Sequence, residues 1–263
     1  MTADKTLLPE ENFLLLRSAL DKVAEYLPYL KADTTKSPGE NFTSCSALLE
    51  DPKILKTVVT DSGTKIGAPS EQVAASLFLL SYSFRVLAMG IAPLLVSGLM
   101  PSSDPKNMYF DIASGRVSKL CYLSEKIHKS TGKEQDLQTA VDDIIENHLR
   151  LLTECLRSEF AIGSRLLWGN VASASASVFR TLEGLFGRDL IGDGELFFTL
   201  VPKEMQNQGN FYLLSVGDKH GWYWERKNCC LYYKLSKKEK CSDCSLLSVE
   251  QRREKYKKML ESS

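Results

Sequence analysis

Hydrophobic positions recur at three- and four-residue steps through most of the first two hundred residues of this chain. The first such face is formed, after Pro9, by Phe13, Leu16, Leu20, Val23 and Leu27. A second face runs from 134 to 160, and a further helical stretch follows over about 161–186 after little more than a bend. This spacing is that of amphipathic α-helices. The pattern predicts a body built mainly of helices.

The most apolar stretch covers residues 73–100 and contains a single charge, Arg85. A charge near the middle of a membrane span is costly, and the interruptions at Gly90 and Pro93 leave pieces shorter than a span requires. We therefore expect a buried core helix that begins near Ser70 and ends near Gly90. Peripheral contact with a membrane stays open. The polar stretch 33–44 ahead of it predicts an exposed loop.

Two stretches contain short runs around a turn signal and favour strands. Residues 107–123 contain two short β-prone runs around Ser114-Gly115, and two aromatic runs further on flank Gly217-Asp218. Ser248 and Gln251 then fit the capping box of a final basic helix. The chain is thus predicted to be α+β and predominantly α-helical. Its organisation is expected to be a helical body over 1–192 and a small β and loop segment with a terminal helix over 193–263.

Charge and composition exclude several classes of protein. Lys and Arg number 33 and Asp and Glu number 33, so the net charge is zero and no overall field favours nucleic acid. The first residues lack a basic region followed by a cleavable apolar segment, which predicts a cytoplasmic protein. In that reducing compartment, clustered cysteines hold metal more often than they form disulfides.

Four of the seven cysteines lie within sixteen positions near the C-terminus: Cys229, Cys230, Cys241 and Cys244. Structural zinc sites usually pair their thiolates through two to four intervening residues, whereas the first two cysteines here are adjacent. A [2Fe–2S] cluster also needs four thiolates but distributes them over two irons, which tolerates unequal spacing. The spacing favours an iron–sulfur site, and the other three cysteines are interpreted as small buried hydrophobes.

This cysteine block resembles the signature of the FhuF-like ferric iron reductases, in which C-C-x10-C-x2-C holds a [2Fe–2S] cluster. Leu231 and Tyr233 in CCLYY resemble the family's usual neighbours of the adjacent pair. The stretch RLLWGNVASA, from Arg165 to Ala174, resembles a Trp-Gly-Asn segment of the family. Family members often have proline after the last cysteine, where this chain has Ser245, a difference that affects only the stiffness of the loop's exit.

The resemblance implies one-electron reduction of a ferric siderophore of hydroxamate, catecholate or citrate type, with the body 1–192 binding the siderophore. No Rossmann fingerprint is present, so the expected electron donor is a separate protein such as a ferredoxin or flavodoxin. Two alternatives stay open. The four cysteines could hold structural zinc in an interaction protein, or the cluster could belong to a redox sensor or carrier without a siderophore substrate.

Candidate substrate-binding residues lie around the cysteines and in the Trp-Gly-Asn stretch: Arg165, Trp168, Asn170, Trp222, Trp224, Arg226, Lys227 and Lys234. Residues 225–240 contain six basic and two acidic side chains, a local charge of +4 that would attract an anionic chelate or an acidic donor. Arg85 and Arg165 are lone charges in apolar stretches, which predicts either an arginine-lined pocket or internal ion pairs. The other candidates have alternative, structural roles: packing within strands, packing between helices, or keeping an exposed loop soluble.

Overall fold

The computed structural model describes residues 9–35, 37–123, 126–186, 190–236 and 239–262. The helices are α1 (Pro9–Tyr26), α2 (Cys45–Glu50), α3 (Pro52–Ile66), α4 (Glu71–Ser97), α5 (Lys133–Ala140), α6 (Arg150–Phe160), α7 (Ser164–Phe186), α8 (Leu190–Leu200) and α9 (Val249–Ser262). The strands are β1 (Lys31–Thr34), β2 (Thr43–Ser44), β3 (Leu99–Pro101), β4 (Met108–Ala113), β5 (Arg116–Tyr122), β6 (Ile127–Lys129), β7 (Gly209–Val216) and β8 (Lys219–Arg226). The predicted α+β, predominantly helical class is confirmed.

Helix α4 forms the centre of the body. Ser70 caps its first turn by accepting a hydrogen bond from the amide of Val73, as predicted. The prediction that the helix ends near Gly90 is wrong, because it continues through Pro93 to a left-handed cap at Gly98. A Cβ on Gly90 would lie 2.4 Å from the Ile144 side chain. This close packing supports the helix where proline and glycine weaken it locally.

Helix α4 is also long and apolar enough to cross a membrane by length and composition alone. Its most apolar window is 67% buried inside the protein. Helix α7 packs along it, and the alternating alanines and serines at 172–177 allow the close approach. Core helices of soluble proteins show the same combination of apolar composition and burial.

A four-stranded sheet in the order β1-β5-β4-β2 covers one side of the body. The predicted hairpin is confirmed as β4 and β5, with Ser114 and Gly115 both at positive φ in the turn. The predicted loop over 33–44 is wrong at its ends, because β1 pairs in parallel with β5 and β2 pairs with β4. These edge strands are short and polar, so their sequence lacks the apolar alternation that identifies a strand.

The C-terminal part consists of the β7–β8 hairpin, the cysteine segment and α9. The two predicted strands and their turn are confirmed, and so is the capping box, in which Ser248 and Gln251 exchange hydrogen bonds of 3.2 and 3.0 Å. Helix α8 was not predicted. The expected boundary between residues 192 and 193 falls inside it, and the predicted helix stop at Gly187 lies outside the described residues.

A buried polar network lies between α4 and a π-helical segment, Val141–Leu149, that joins α5 to α6. His148 is fully buried, its Nδ1 donates to the Ser103 carbonyl at 2.6 Å, and its Nε2 accepts from the Tyr82 hydroxyl at 2.7 Å. Both ring nitrogens are therefore satisfied by the neutral imidazole. Burial lowers the pKa of His148 to about 4.

This histidine makes the folded state sensitive to acid. In the unfolded chain its pKa is about 6.5, so between pH 6.5 and 4 the unfolded state binds a proton that the folded state does not. Stability is complete above this window and falls as the pH decreases through it, by at most about 3 kcal/mol. Urea unfolding at pH 7.5, 6, 5 and 4.5 measures the loss.

The matched variant is His148→Gln. Glutamine is neutral, like the buried imidazole, and cannot bind the proton. Asp104 acts on the ring electrostatically, and Asp143, whose pKa is raised by burial, accepts a hydrogen bond from the Ser103 amide. Both carboxyl groups are present in the two proteins, so the difference between the proteins isolates the histidine. We expect the variant to be less stable at pH 7.5 and to have a flatter dependence on pH. Parallel pH curves for the two proteins would contradict this assignment.

Candidate metal centre

The β7–β8 hairpin brings the chain to the cysteine segment. Gly209 permits this packing, because a Cβ there would lie 2.4 Å from the Trp224 ring. Helix α9 covers the hairpin: Tyr223 and Tyr256 stack with centroids 4.0 Å apart, and each hydroxyl donates to a backbone carbonyl of the other element at 3.0 Å. The strand that ends at Arg226, just before the first cysteine, is therefore held on both faces.

The four C-terminal cysteines occupy a short, irregular segment. Cys230 and Cys244 are buried, whereas Cys229 and Cys241 are partly exposed. The chain turns directly after the adjacent pair, because Leu231 has a positive φ of 65° and a 3₁₀ turn follows over Tyr232–Lys234. The cysteine block thus combines two buried cysteines with two that are partly accessible to solvent.

Electrostatic contacts join the thiols of the cysteine quartet, which consists of Cys229, Cys230, Cys241 and Cys244. The Cys241 thiol donates a hydrogen bond to the Cys230 sulfur, which lowers the pKa of Cys230 and raises that of Cys241. Burial raises the pKa of Cys229, while the Leu231 amide, which donates to its sulfur at 3.3 Å, opposes that shift. Cys244 also interacts with Cys229. All four thiols therefore lie in one electrostatic group.

The donor set fits an iron–sulfur cluster. Within the part of the chain that the structure describes, no three His, Cys, Asp or Glu side chains converge closely enough to hold a single metal ion. The contacts that the structure shows for the quartet are pairwise interactions between thiols, the Leu231 amide that donates to the Cys229 sulfur, and the positive charge of Arg226 near Cys229 and Cys230. Four thiolates divided between two irons, with hydrogen bonds to sulfur, are what a [2Fe–2S] cluster requires.

A buried polar link, formed by Ser76, Asn170 and Arg226, connects this segment to the helical body. The Ser76 hydroxyl of α4 donates to the Cys230 carbonyl at 2.8 Å. The Asn170 amide of α7 donates to the Ser76 carbonyl at 2.9 Å and accepts from Arg226 Nη2 at 3.0 Å. Arg226 Nε donates to the Asn228 carbonyl at 2.6 Å. The link fixes the backbone on both sides of Cys229.

The structure places the other predicted substrate-binding residues in several environments. Trp168 is buried under the Arg150 guanidinium, 5.0 Å from its ring centroid, and Trp224 is buried and stacks on Phe198. The remaining side chains are exposed or partly exposed: Arg165, Trp222, Lys227 and Lys234. Lys227 and Lys234 flank the adjacent cysteines in sequence. A role in substrate binding stays a prediction for each of these residues, as it does for Asn170 and Arg226.

Sequence reasoning missed several residues that hold the segment in place. Ser76 was inconspicuous, although a serine inside an apolar run is a signal of a buried partner. Arg180 of α7 donates to the Trp222 carbonyl at 2.7 Å and lies over the Tyr223 ring. Asn228 donates to the Gln208 side chain. These contacts join residues far apart in the chain, so no local pattern identifies them.

Comparison with known families agrees with this arrangement. Residues 76–212 match the family model described as "Ferric iron reductase FhuF-like transporter", which covers more than half of the chain. The chain belongs to the FhuF-like ferric iron reductase family. Residues 226–246 match the model described as "FhuF 2Fe-2S C-terminal domain", and this range contains Arg226 and all four cysteines. No curated protein matches the chain significantly.

Membership gives the chain its reaction class and its C-terminal domain a cofactor, whereas the four cysteines as the ligands of that cofactor stay a prediction. The protein is a ferric iron reductase whose C-terminal domain carries a [2Fe–2S] cluster. The cofactor is therefore a [2Fe–2S] cluster and not the structural zinc ion that the cysteine spacing had left open. The buried polar link then joins the two matched regions, since Ser76 and Asn170 lie in the first and Arg226 in the second.

Gly169 is the middle residue of the Trp-Gly-Asn stretch. Substituting it tests how closely α7 and the cysteine segment must pack. A Cβ at this position would lie 2.8 Å from the Asn228 Cβ, so Gly169→Ala forces α7 and the cysteine segment apart. We expect a loss of about 1 to 3 kcal/mol in unfolding free energy and slower cluster incorporation. Chemical denaturation and the visible spectrum after reconstitution measure both effects.

Gly184→Ala is the matched control in the same helix. No atom lies within 4 Å of a Cβ built at Gly184. Alanine is the better helix former, so this change should increase stability by up to about 1 kcal/mol. If the two substitutions have the same effect, close contact with Asn228 is not the reason for glycine at position 169.

Proposed function

We propose that this reductase acts in the cytoplasm on ferric siderophores, releasing their iron as Fe(II). Ferrous iron binds hard oxygen ligands such as hydroxamates more weakly than ferric iron does, so reduction is itself the release step. When bound, the cluster supplies one electron at a time. No acid, base or nucleophile is needed for this reaction.

The observation that carries the proposal is the partial exposure of Cys229 and Cys241 in a segment flanked by basic side chains. A cluster held by partly exposed cysteines would allow a bulky iron complex to approach without first opening the protein. Lys227 and Lys234 are both exposed beside them. Their positive charge attracts anionic complexes and an acidic electron donor of ferredoxin or flavodoxin type. Lys237 and Lys238, which belong to the predicted basic stretch, lie outside the described residues.

Anaerobic mixing experiments test the proposal. Protein reduced with dithionite and freed of excess reductant is mixed with ferric hydroxamate, catecholate and citrate complexes in the presence of an Fe(II)-specific chromophore. We expect reoxidation of the cluster and formation of one Fe(II) per electron with at least one complex. A protein that is reoxidised by none of them is a redox sensor or carrier and not a siderophore reductase.

A further inference from the structure

A cavity of about 410 Å³ lies beside the cysteine segment, enclosed by α3, α4, β5, α7 and the turn after Cys230. Its walls are mostly apolar, with Leu77, Leu80 and Phe84 contributed by α4. Helix α7 contributes only Ala174 and Ser177, whose small side chains leave the space open. A largely apolar cavity of this size with a few polar groups is typical of a small-molecule site.

The cavity adjoins the cluster-binding segment. Tyr232 and Leu235, which belong to the stretch between the second and third cysteines, form part of its wall. Tyr232 is two residues from Cys230, so their Cα atoms are separated by about 7 Å at most. Ser76, which donates to the Cys230 carbonyl, directly precedes the wall residue Leu77. A ligand in the cavity is therefore close to the redox centre.

Two arginines give the cavity a positive potential. Arg85 is half-buried, and its guanidinium donates to the backbone carbonyls of Val117, at 3.0 Å, and Tyr29. Arg116 is exposed at the rim. No Asp or Glu lines the cavity, and among the described residues no carboxylate forms a salt bridge with either guanidinium. Among the described residues, neither guanidinium is therefore paired with an acid.

We propose that this cavity binds a carboxylate-bearing, partly apolar arm of the ferric chelate, so that the enzyme selects anionic chelates. This inference rests on the proposed function and specifies which class of substrate the same site accepts. The arm's carboxylate pairs with Arg85 and Arg116, and its carbon chain lies against the α4 wall. The iron centre is thereby held on the side of the cysteine segment, where Lys227 and Lys234 add to the positive field.

Complexes of gallium(III) allow binding to be measured without reduction, because gallium(III) has the charge of ferric iron but no accessible divalent state. The probes are gallium complexes of one linear trihydroxamate whose pendant amine is free, acetylated or succinylated, giving cationic, neutral and anionic forms with identical metal coordination. Calorimetry on the cluster-loaded protein should show the anionic form binding at least about tenfold more tightly than the cationic form, a ratio that falls with added salt. Equal affinities would overturn the proposal.

Variants locate the binding site. Arg116→Gln should weaken binding of the anionic form by about threefold to tenfold and leave the neutral form unchanged. Arg157→Gln removes an equivalent exposed charge on α6 and should change neither. Ser177→Phe fills the cavity and should abolish binding of all three forms, whereas Ser177→Ala should not. Unaltered affinity in both Arg116→Gln and Ser177→Phe would place the ligand elsewhere.

The two proposals fail in different ways. If gallium complexes bind in the predicted order but no ferric complex reoxidises the cluster, the cavity assignment stands and the siderophore reductase proposal is wrong. If ferric complexes are reduced at rates independent of their charge and of both cavity variants, the reductase proposal stands and the cavity assignment is wrong. The visible spectrum, which should be the same in every variant, checks that the cluster is intact.

Discussion

Replacing Cys230 by serine is expected to eliminate the visible absorbance of the cluster and all ferric reductase activity. Iron–sulfur clusters are held by thiolates, and Cys230 is the buried member of the adjacent pair, with its carbonyl bound by Ser76. The same result is expected for the other three members of the quartet. Iron and sulfide analysis after anaerobic reconstitution, together with the absorption spectrum, measures the loss.

The three remaining cysteines are the matched controls. Burial raises the pKa of Cys45 to about 12 and that of Cys121 to about 11, and it also raises the pKa of Cys155. Each of these three cysteines lies in a different element, at α2, β5 and α6, outside the C-terminal block that matches the cluster-domain family. Alanine at any of the three should leave the spectrum intact. Bleaching in one of these proteins, or a normal spectrum in Cys230→Ser, would show that the ligand assignment is wrong.

The second large effect is expected at Asn170, the central residue of the buried polar link. Asn170→Leu leaves the Ser76 carbonyl without this donor and leaves the Arg226 guanidinium, 3% exposed, without its side-chain acceptor. Removing a neutral partner from a buried, charged hydrogen-bonding group costs about 1.5 to 3 kcal/mol. We expect a loss of this size in the unfolding free energy, measured by urea denaturation under anaerobic conditions.

A double-mutant cycle identifies the cause. Arg226→Met removes the charge that Asn170→Leu leaves stranded, so the double variant should be more stable than the sum of the two single effects predicts, by at least about 1 kcal/mol. Additive effects would mean that the two side chains do not interact in solution. Arg226→Met should also lower the cluster's reduction potential, on the order of tens of millivolts, because a nearby cation favours the reduced state.

The sequence by itself determined the fold class, most of the long helices, the two hairpins and the family whose cofactor is a [2Fe–2S] cluster. Strong hydrophobic periodicity predicted the long helices, and the turn residues Ser114-Gly115 and Gly217-Asp218 predicted the two hairpins. The spacing of the four cysteines predicted the iron–sulfur cluster. These signals are local: each depends on residues within a few positions of one another. Where local preference conflicts with packing, as at Gly90 and Pro93 in α4, the sequence-based boundary was wrong.

The tertiary structure alone decided how the cluster segment is held and what lies beside it. The bonds from Ser76 to Cys230 and from Asn170 to Arg226 join residues 154 and 56 positions apart. The cavity of Arg85 and Arg116 draws its walls from four elements and the cysteine segment. Such contacts exist only when the chain is folded, because they depend on which faces of distant elements are buried together, and no spacing along the sequence encodes them.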